Sequence, residues 1–349
     1  MGKALLIVVV VMVLAVASFG LHTVWVAGQF KTLEPHFAGQ CRTLDGIVGA
    51  EDMVIHAALG RAFVAAWDRR AGAAGRLEAG AIWGYDLEAG AAPRNLTPEL
   101  SFPFHPHGLG LLAQDAGGIL MVVNHRPRGD TIEVFTITEA GLKHSGTVSG
   151  DLLKSVNDVV PVAPDRFYAS LDHGAPKGFQ RMLEDYLRLP LSGVVYYDGA
   201  QLRPVADGIA YANGINLSPD GGKVYVAATT GRRLHVFDRE PFEGGLTPRK
   251  EIFLGTGVDN IDVDGAGNLW IAAHPKLLSF VAHAKDPAEP APSQVLKLVP
   301  RGDDFEVSEI FLDLGQLLPA SSVAARLGRR LLIGPVFAPR FLDCTMAQT

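Results

Sequence analysis

The stretch from Tyr211 to Asp238, YANGINLSPDGGKVYVAATTGRRLHVFD, limits the fold of this chain more than any other. Asn213 opens a short strand, the cluster from Ser218 to Gly222 makes a tight turn, Val224 to Ala228 returns antiparallel, and Leu234 to Phe237 adds a third strand. The unit recurs in degraded form. Its starts fall at Glu51, His107, Asn157, Asn213, Asn260 and Ser322, separated by 47 to 62 residues, enough for one four-stranded blade each. Such units cannot bury both faces alone, so they pack radially. The expectation is an all-β, six-bladed β-propeller whose first strands surround a central channel.

The first thirty residues are of another kind. Ala4 to Leu21 carries no charge and is long enough to cross the hydrocarbon core of a bilayer as a helix. An uncleaved signal-anchor and a signal peptide cut near Ala15-Val16-Ala17 both fit. Residues 1–28 are therefore read as anchor or signal, and 29–349 as the propeller. Either way the body leaves the cytosol, tethered on the non-cytosolic side of a membrane or secreted. A formal charge of -6 with no basic stripe excludes a nucleic-acid surface and favours cations or neutral ligands. The oligomeric state is not readable.

Cys41 and Cys344 are the only two cysteines and lie near opposite ends of the body. A closed ring brings its ends together, so a disulfide there would seal it in an oxidising compartment; two unpaired buried thiols are the competing reading. Between the third and fourth units, Phe179 to Leu187 has apolar residues at helical spacing, which fits a rim helix or a lid that touches a membrane. Asn95-Leu96-Thr97 matches a glycosylation acceptor.

Chemistry repeats with the blades. Glu51-Asp52, Asn157-Asp158, Asn213 and Asp259-Asn260 stand at one phase of successive units, and all are oxygen donors. Asp and Asn also serve ordinary turns, but the turn residues Asp220-Gly221 and Asp264-Gly265 occur separately downstream. Carboxylates that converge on a channel need a cation, and a mixed amide and carboxylate set without thiolate favours calcium. Glu51 with Asp259 balances one divalent charge and Asp52 with Asp158 a second, which makes two calcium ions. His125, His173 and His274 end second strands and point to the same mouth. His107 and His125 belong to one hairpin and are read as a water-activating pair; His173 and His274 are read as structural.

The motifs GAEDM at Gly49, PHG at Pro106, VVNH at Val122, NDVV at Asn157, FYASLDH at Phe167, YANGINLSPDG at Tyr211, VDNI at Val258 and AHP at Ala273 resemble the paraoxonase/arylesterase family, in order, across most of the chain. That resemblance implies a six-bladed propeller with two calcium ions in its tunnel, closed by Cys41 and Cys344. It also implies that Glu51, Asn157, Asn213, Asp259 and Asn260 hold a catalytic calcium, and that Asp52, Asp158 and the backbone carbonyl of Leu109 hold a structural one. His107 and His125 match the family's water-activating pair. Tyr211, Ser322 and Val336 fall where the family lines its substrate pocket. The chain departs from the family's vertebrate members at Trp67-Asp68-Arg69-Arg70, which puts Asp68 and Arg69 at a more charged pocket rim, and at His105, which replaces a customary amide.

The expected activity is calcium-dependent hydrolysis of lactones and aryl esters, with phosphotriesters as side substrates. Calcium would polarise the carbonyl, and the His pair or a metal-side carboxylate, Glu51 or Asp259, would activate water. No G-x-S-x-G elbow supports a serine hydrolase. The non-catalytic alternative is a membrane-anchored ligand-binding or scaffold propeller.

Overall fold

The computed structural model describes residues 2–347 except 77, 89–91 and 140. Among the described residues, six antiparallel sheets stand around a central channel, five of four strands and one of five. Their innermost strands are Ala50–His56, Pro106–Gln114, Val156–Ala163, Ala212–Leu217, Gly257–Val263 and Ser321–Leu327. Each contacts the innermost strands of both neighbouring blades, so the ring is closed. Alternating strand residues fill six apolar clusters, one at each junction between blades. The junction of first and last blades, for example, packs Met53, Val64 and Tyr85 against Val323, Leu332 and Phe341.

The last blade is sealed by the chain's beginning. Strand Gly39–Asp45 pairs with Arg340–Met346 as its outermost member, and Cys41 lies opposite Cys344 and is disulfide-bonded to it. The bridge closes a separation of 303 residues. Loop entropy for so long a span stabilises the ring by about 5 to 6 kcal/mol. His36–Phe37 adds a fifth strand to the fifth blade, a feature too short to read from a pattern.

Helix Gly2–Val26 stands out from the body, with its apolar residues exposed as far as its last turns. At 1.5 Å per residue it is about 37 Å long, against about 30 Å for a hydrocarbon core. Its foot is docked. Val26 and Ala27 are buried, and the Ala27 carbonyl accepts the N–H of Leu277 at 2.9 Å, where helix Leu277–Lys285 begins.

Helix Phe179–Leu187 is oriented with its acidic side inward: Glu184 is buried and accepts the N–H groups of Gly174 and Ala175 at 2.9 and 2.7 Å. Its apolar residues Phe179, Met182, Tyr186 and Leu187 face out. The Asn95 side chain accepts the N–H of Thr97 at 2.8 Å, and the buried Thr97 hydroxyl accepts the N–H of Ile82, so this triplet makes a local turn.

Candidate active site

The repeated phase has a backbone cause. In every blade the pairing of the first strand with the second slips where the candidate residues lie. The slips fall between Ala50 and Asp52, Pro106 and Leu109, Val156 and Val159, Ala212 and Ile215, Val258 and Ile261, and Ser321 and Val323. A bulge leaves its residues outside the ladder and turns them from the pleat. Here the freed residues include Glu51, His107, Asn157, Asp158, Asn213, Asp259, Asn260 and Ser322.

Four of these strands are entered through a left-handed residue, Gly49, Ser155, Tyr211 or Ala320. The carbonyl of each accepts an N–H from just past the second strand, from Trp67, Asp172, Thr229 and Val336 respectively. The same device therefore brings both ends of each hairpin to one mouth. Gly108 and Gly214 let adjacent bulges touch. A Cβ on Gly108 would stand 2.5 Å from Asp158 Oδ1, and one on Gly214 2.6 Å from Asn260 Cα.

The mouth is lined with oxygen. Glu51 accepts from Arg69 Nη2 at 3.0 Å and from Asn260 Nδ2 at 3.2 Å, with His107 Nε2 also 3.2 Å away. Asp259 Oδ2 lies 2.7 Å from His274 Nε2, and Asn213 Nδ2 donates to Thr229 Oγ1 at 3.0 Å. The opposite oxygens, Asn157 Oδ1, Asn213 Oδ1, Asp259 Oδ1 and Asn260 Oδ1, are buried without a partner. Deeper in the channel, Asp52 accepts the N–H groups of Met53 and Leu109 at 2.8 and 2.5 Å, and Asp158 those of Val159 and Ile215 at 2.7 and 2.9 Å. Each of these four carboxylate oxygens keeps a second lone pair.

The charges are unbalanced as they stand. Burial pushes the carboxyls of Asp52, Asp158 and Asp259 up, and the neighbouring Glu51 adds to each. Burial alone would do the same to Glu51, but His107 and Arg69 hold it down to about 2. No cluster of three or more His, Cys, Asp or Glu side chains suited to a metal occurs among the described residues, so an ion here would depend on the asparagine oxygens.

His107 Nδ1 lies 2.6 Å from His125 Nε2, and His125 Nδ1 lies 2.8 Å from Asp130 Oδ1. With Glu51 at the other end, two rings bridge two carboxylates across three gaps. Filling the gaps takes three protons, one more than two neutral imidazoles carry. The arrangement has a built-in place for one proton taken from a neighbouring molecule.

A cavity of about 440 Å³ opens over this floor. Glu51, Arg69, His107, Asn157, Tyr211, Asn213, Asp259 and Val336 line it, and Thr23, Val26 and Ala27 of the N-terminal helix and its exit form part of its wall. His125 stands behind His107, and Asp52, Asp158 and Asn260 lie below the lining. Leu109 reaches Asp52 through its N–H.

Asp68 and Ser322 do not line the cavity. Asp68 caps helix Arg69–Ala73 by accepting the N–H of Ala71 at 2.9 Å, which carries Arg69 to Glu51. Ser322 is fully buried and donates to the Glu51 carbonyl at 2.7 Å. His105 lies 4.8 Å from Trp67, ring to ring, and is buried.

Sequence reasoning missed Asp130, Asp172, Asp185, Thr229 and the cavity wall supplied by helix Leu277–Lys285. For that helix a signal existed in Leu277, Phe280 and Val281, at helical spacing. The two histidines read as structural both line the cavity: His274 lies 2.7 Å from Asp259, and His173 is clamped by Asp172 at 2.6 Å and Asp185 at 3.0 Å.

Burial would lower the His173 pKa, but the two carboxylates outweigh it and raise it from 6.5 to about 9. A raised folded value contributes stability that is fully present below about pH 6.5 and lost as pH rises through about 9. His173→Gln should therefore lower stability by about 2 to 3 kcal/mol at pH 6, and by much less at pH 10. Denaturant melts of both proteins at the two pH values measure this, and a gap independent of pH would contradict it.

An arylesterase family model matches residues 94–346. Serum paraoxonase/arylesterase 2 of Rattus norvegicus is 36% identical over 275 residues, which is 77% of this chain and 73% of that protein. Serum paraoxonase/arylesterase 1 of Rattus norvegicus is 38% identical over 248 residues, 70% of this chain and 69% of that protein. Among solved structures, a gluconolactonase from Xanthomonas campestris superposes with a TM-score of 0.55 at 15% identity, covering 91% of this chain and 99% of its own. The calcium-binding protein regucalcin from Agrobacterium tumefaciens does so at 0.52 and 15%, covering 89% and 96%. At such identities these two structures speak to the propeller fold alone.

Proposed function

Because the chain belongs to the arylesterase family and is an enzyme of the lactonase/esterase type, we propose that it hydrolyses lactones and aryl esters in a calcium-dependent way, with phosphotriesters as side substrates. Glu51, Asn157, Asn213, Asp259 and Asn260 are assigned to a catalytic calcium, and Asp52, Asp158 and the Leu109 carbonyl to a structural one. The observation that carries this is the set of four buried, unpartnered oxygens on four of the five proposed catalytic-site residues. An orphaned buried acceptor costs about 1 to 3 kcal/mol, and four on one floor are accounted for by a cation that takes oxygen ligands. When bound there, calcium polarises a carbonyl and offsets the negative charge that develops on its oxygen.

The chain's own groups do the rest. His107 takes a proton from water at Nε2, on the side of its longer, 3.2 Å contact with Glu51. The proton on Nδ1 then passes to His125 Nε2, and Asp130 stabilises the resulting imidazolium. The hydroxide oxygen bonds to the carbonyl carbon, the ester C–O bond breaks, and the pair returns its proton to the leaving alkoxide. Arg69, Tyr211 and Val336 shape the substrate space directly, Asp68 by positioning Arg69, and Ser322 by fixing the Glu51 backbone.

Residues 1–28 are assigned to a signal-anchor and 29–349 to the catalytic propeller. A disulfide fits the non-cytosolic side. The outward apolar face of helix Phe179–Leu187, with Phe179 68% exposed, supplies a second contact with the same membrane. The test is a panel of lactones and aryl esters assayed with and without a calcium chelator. The expected result is hydrolysis that chelation abolishes and added calcium restores; chelator-resistant hydrolysis would remove the ion from the mechanism.

A further inference from the structure

A second cavity, of about 450 Å³, opens at the foot of the N-terminal helix. Arg188, Arg232 and Arg233 border it, and Glu251 is the one carboxylate among its lining residues. Glu251 pairs with Arg233. The other two guanidiniums have no carboxylate within ion-pair reach among the described residues: Arg188 lies 3.4 Å from His22 Nε2, and Arg232 donates to the Gly255 carbonyl at 3.5 Å and lies over the Phe253 ring. Burial lowers the pKa of Arg232, and the charges of Arg188 and Arg233 lower it further, so the cluster repels itself.

Repelling guanidiniums held half-buried around one hollow form a receptor for an anion. Their planar forks match the oxygens of a phosphate. The rim is apolar: Trp25 and Phe253 are 63% and 61% exposed. Beyond Trp25 runs the exposed apolar helix, so a tail attached to the anion would lie along it. With that helix in a bilayer, the cavity stands at headgroup level.

We propose that this cavity is a binding site for a phosphate-bearing anion, best filled by the headgroup of an anionic phospholipid, seated between Arg188, Arg232 and Arg233. The lipid half of this rests on the membrane-anchor reading above; the phosphate half does not. Arg188 and Val26 line both cavities, so the bound headgroup sits beside the catalytic mouth.

Calorimetric titration of the full-length chain in a neutral detergent tests it, with dihexanoyl phosphatidylglycerol, dihexanoyl phosphatidylcholine and inorganic phosphate as probes. Phosphatidylglycerol is expected to bind at least tenfold more tightly than phosphatidylcholine. The Arg232→Gln/Arg233→Gln protein should lose that preference while hydrolysing aryl esters at the native rate, since neither arginine lines the catalytic cavity. Arg232→Lys/Arg233→Lys, which keeps both charges, should bind with intermediate affinity and serves if the glutamine protein fails to fold. Competition by inorganic phosphate at equal affinity assigns the site to phosphate itself, and its failure to compete assigns it to lipid. Equal affinity for the two lipids, or a preference unchanged in both double variants, overturns the proposal.

Discussion

Asn213→Ala is expected to lower kcat/KM for lactones and aryl esters by about 10³-fold while leaving the fold intact. The side chain sits on the bulge of strand Ala212–Leu217, outside the ladder and outside the apolar clusters. Its Nδ2 is spoken for by Thr229, which orients Oδ1 into the floor of the cavity, and that oxygen has no partner. Alanine removes the oxygen and little else, because Thr229 keeps its own bond to the Val258 carbonyl at 2.7 Å. Steady-state kinetics beside a thermal melt separate the two effects. Full activity in a folded Asn213→Ala protein would refute a direct part for this oxygen.

His107→Gln should cost roughly 10²- to 10⁴-fold in kcat with KM little changed, the range for losing a positioned general base. Glutamine keeps a hydrogen-bonding group near Glu51 but breaks the relay of protons to His125 and Asp130. The loss should therefore also flatten the rise of kcat with pH. A residual rate within tenfold of native, with the pH profile preserved, would move the base to Glu51 or Asp259.

The propeller was legible because each blade repeats a turn signature at a spacing only short strands satisfy. The oxygen ring was legible for a related reason: Glu51, Asn157, Asn213 and Asp259 share a phase. What periodicity could not convey is why that phase is special. A bulge is a slip in register between two strands, visible only when both are paired, as at Ala212 and Ile215. Supporting groups were hidden for another reason. Asp130 and Asp185 lie in a strand and a helix that would look ordinary in any surface element, and acquire meaning only from the histidines they meet. Asp68 and Ser322 were placed at the substrate pocket by the family resemblance, yet a helix cap and a buried hydroxyl put them one layer back. The apolar spacing of Phe179 to Leu187 fitted a rim helix and a membrane-touching lid alike, because spacing alone does not say which face turns in; Glu184 is the residue buried.

Calcium binding by the full-length chain, stripped of divalent metal and measured by equilibrium dialysis, tests the central claim most directly. The account predicts two calcium ions per chain, with one lost in Asn213→Ala and the other in Asp158→Asn. Folded protein that takes up no calcium saturably, or that binds the same number of ions in all three forms, would contradict it.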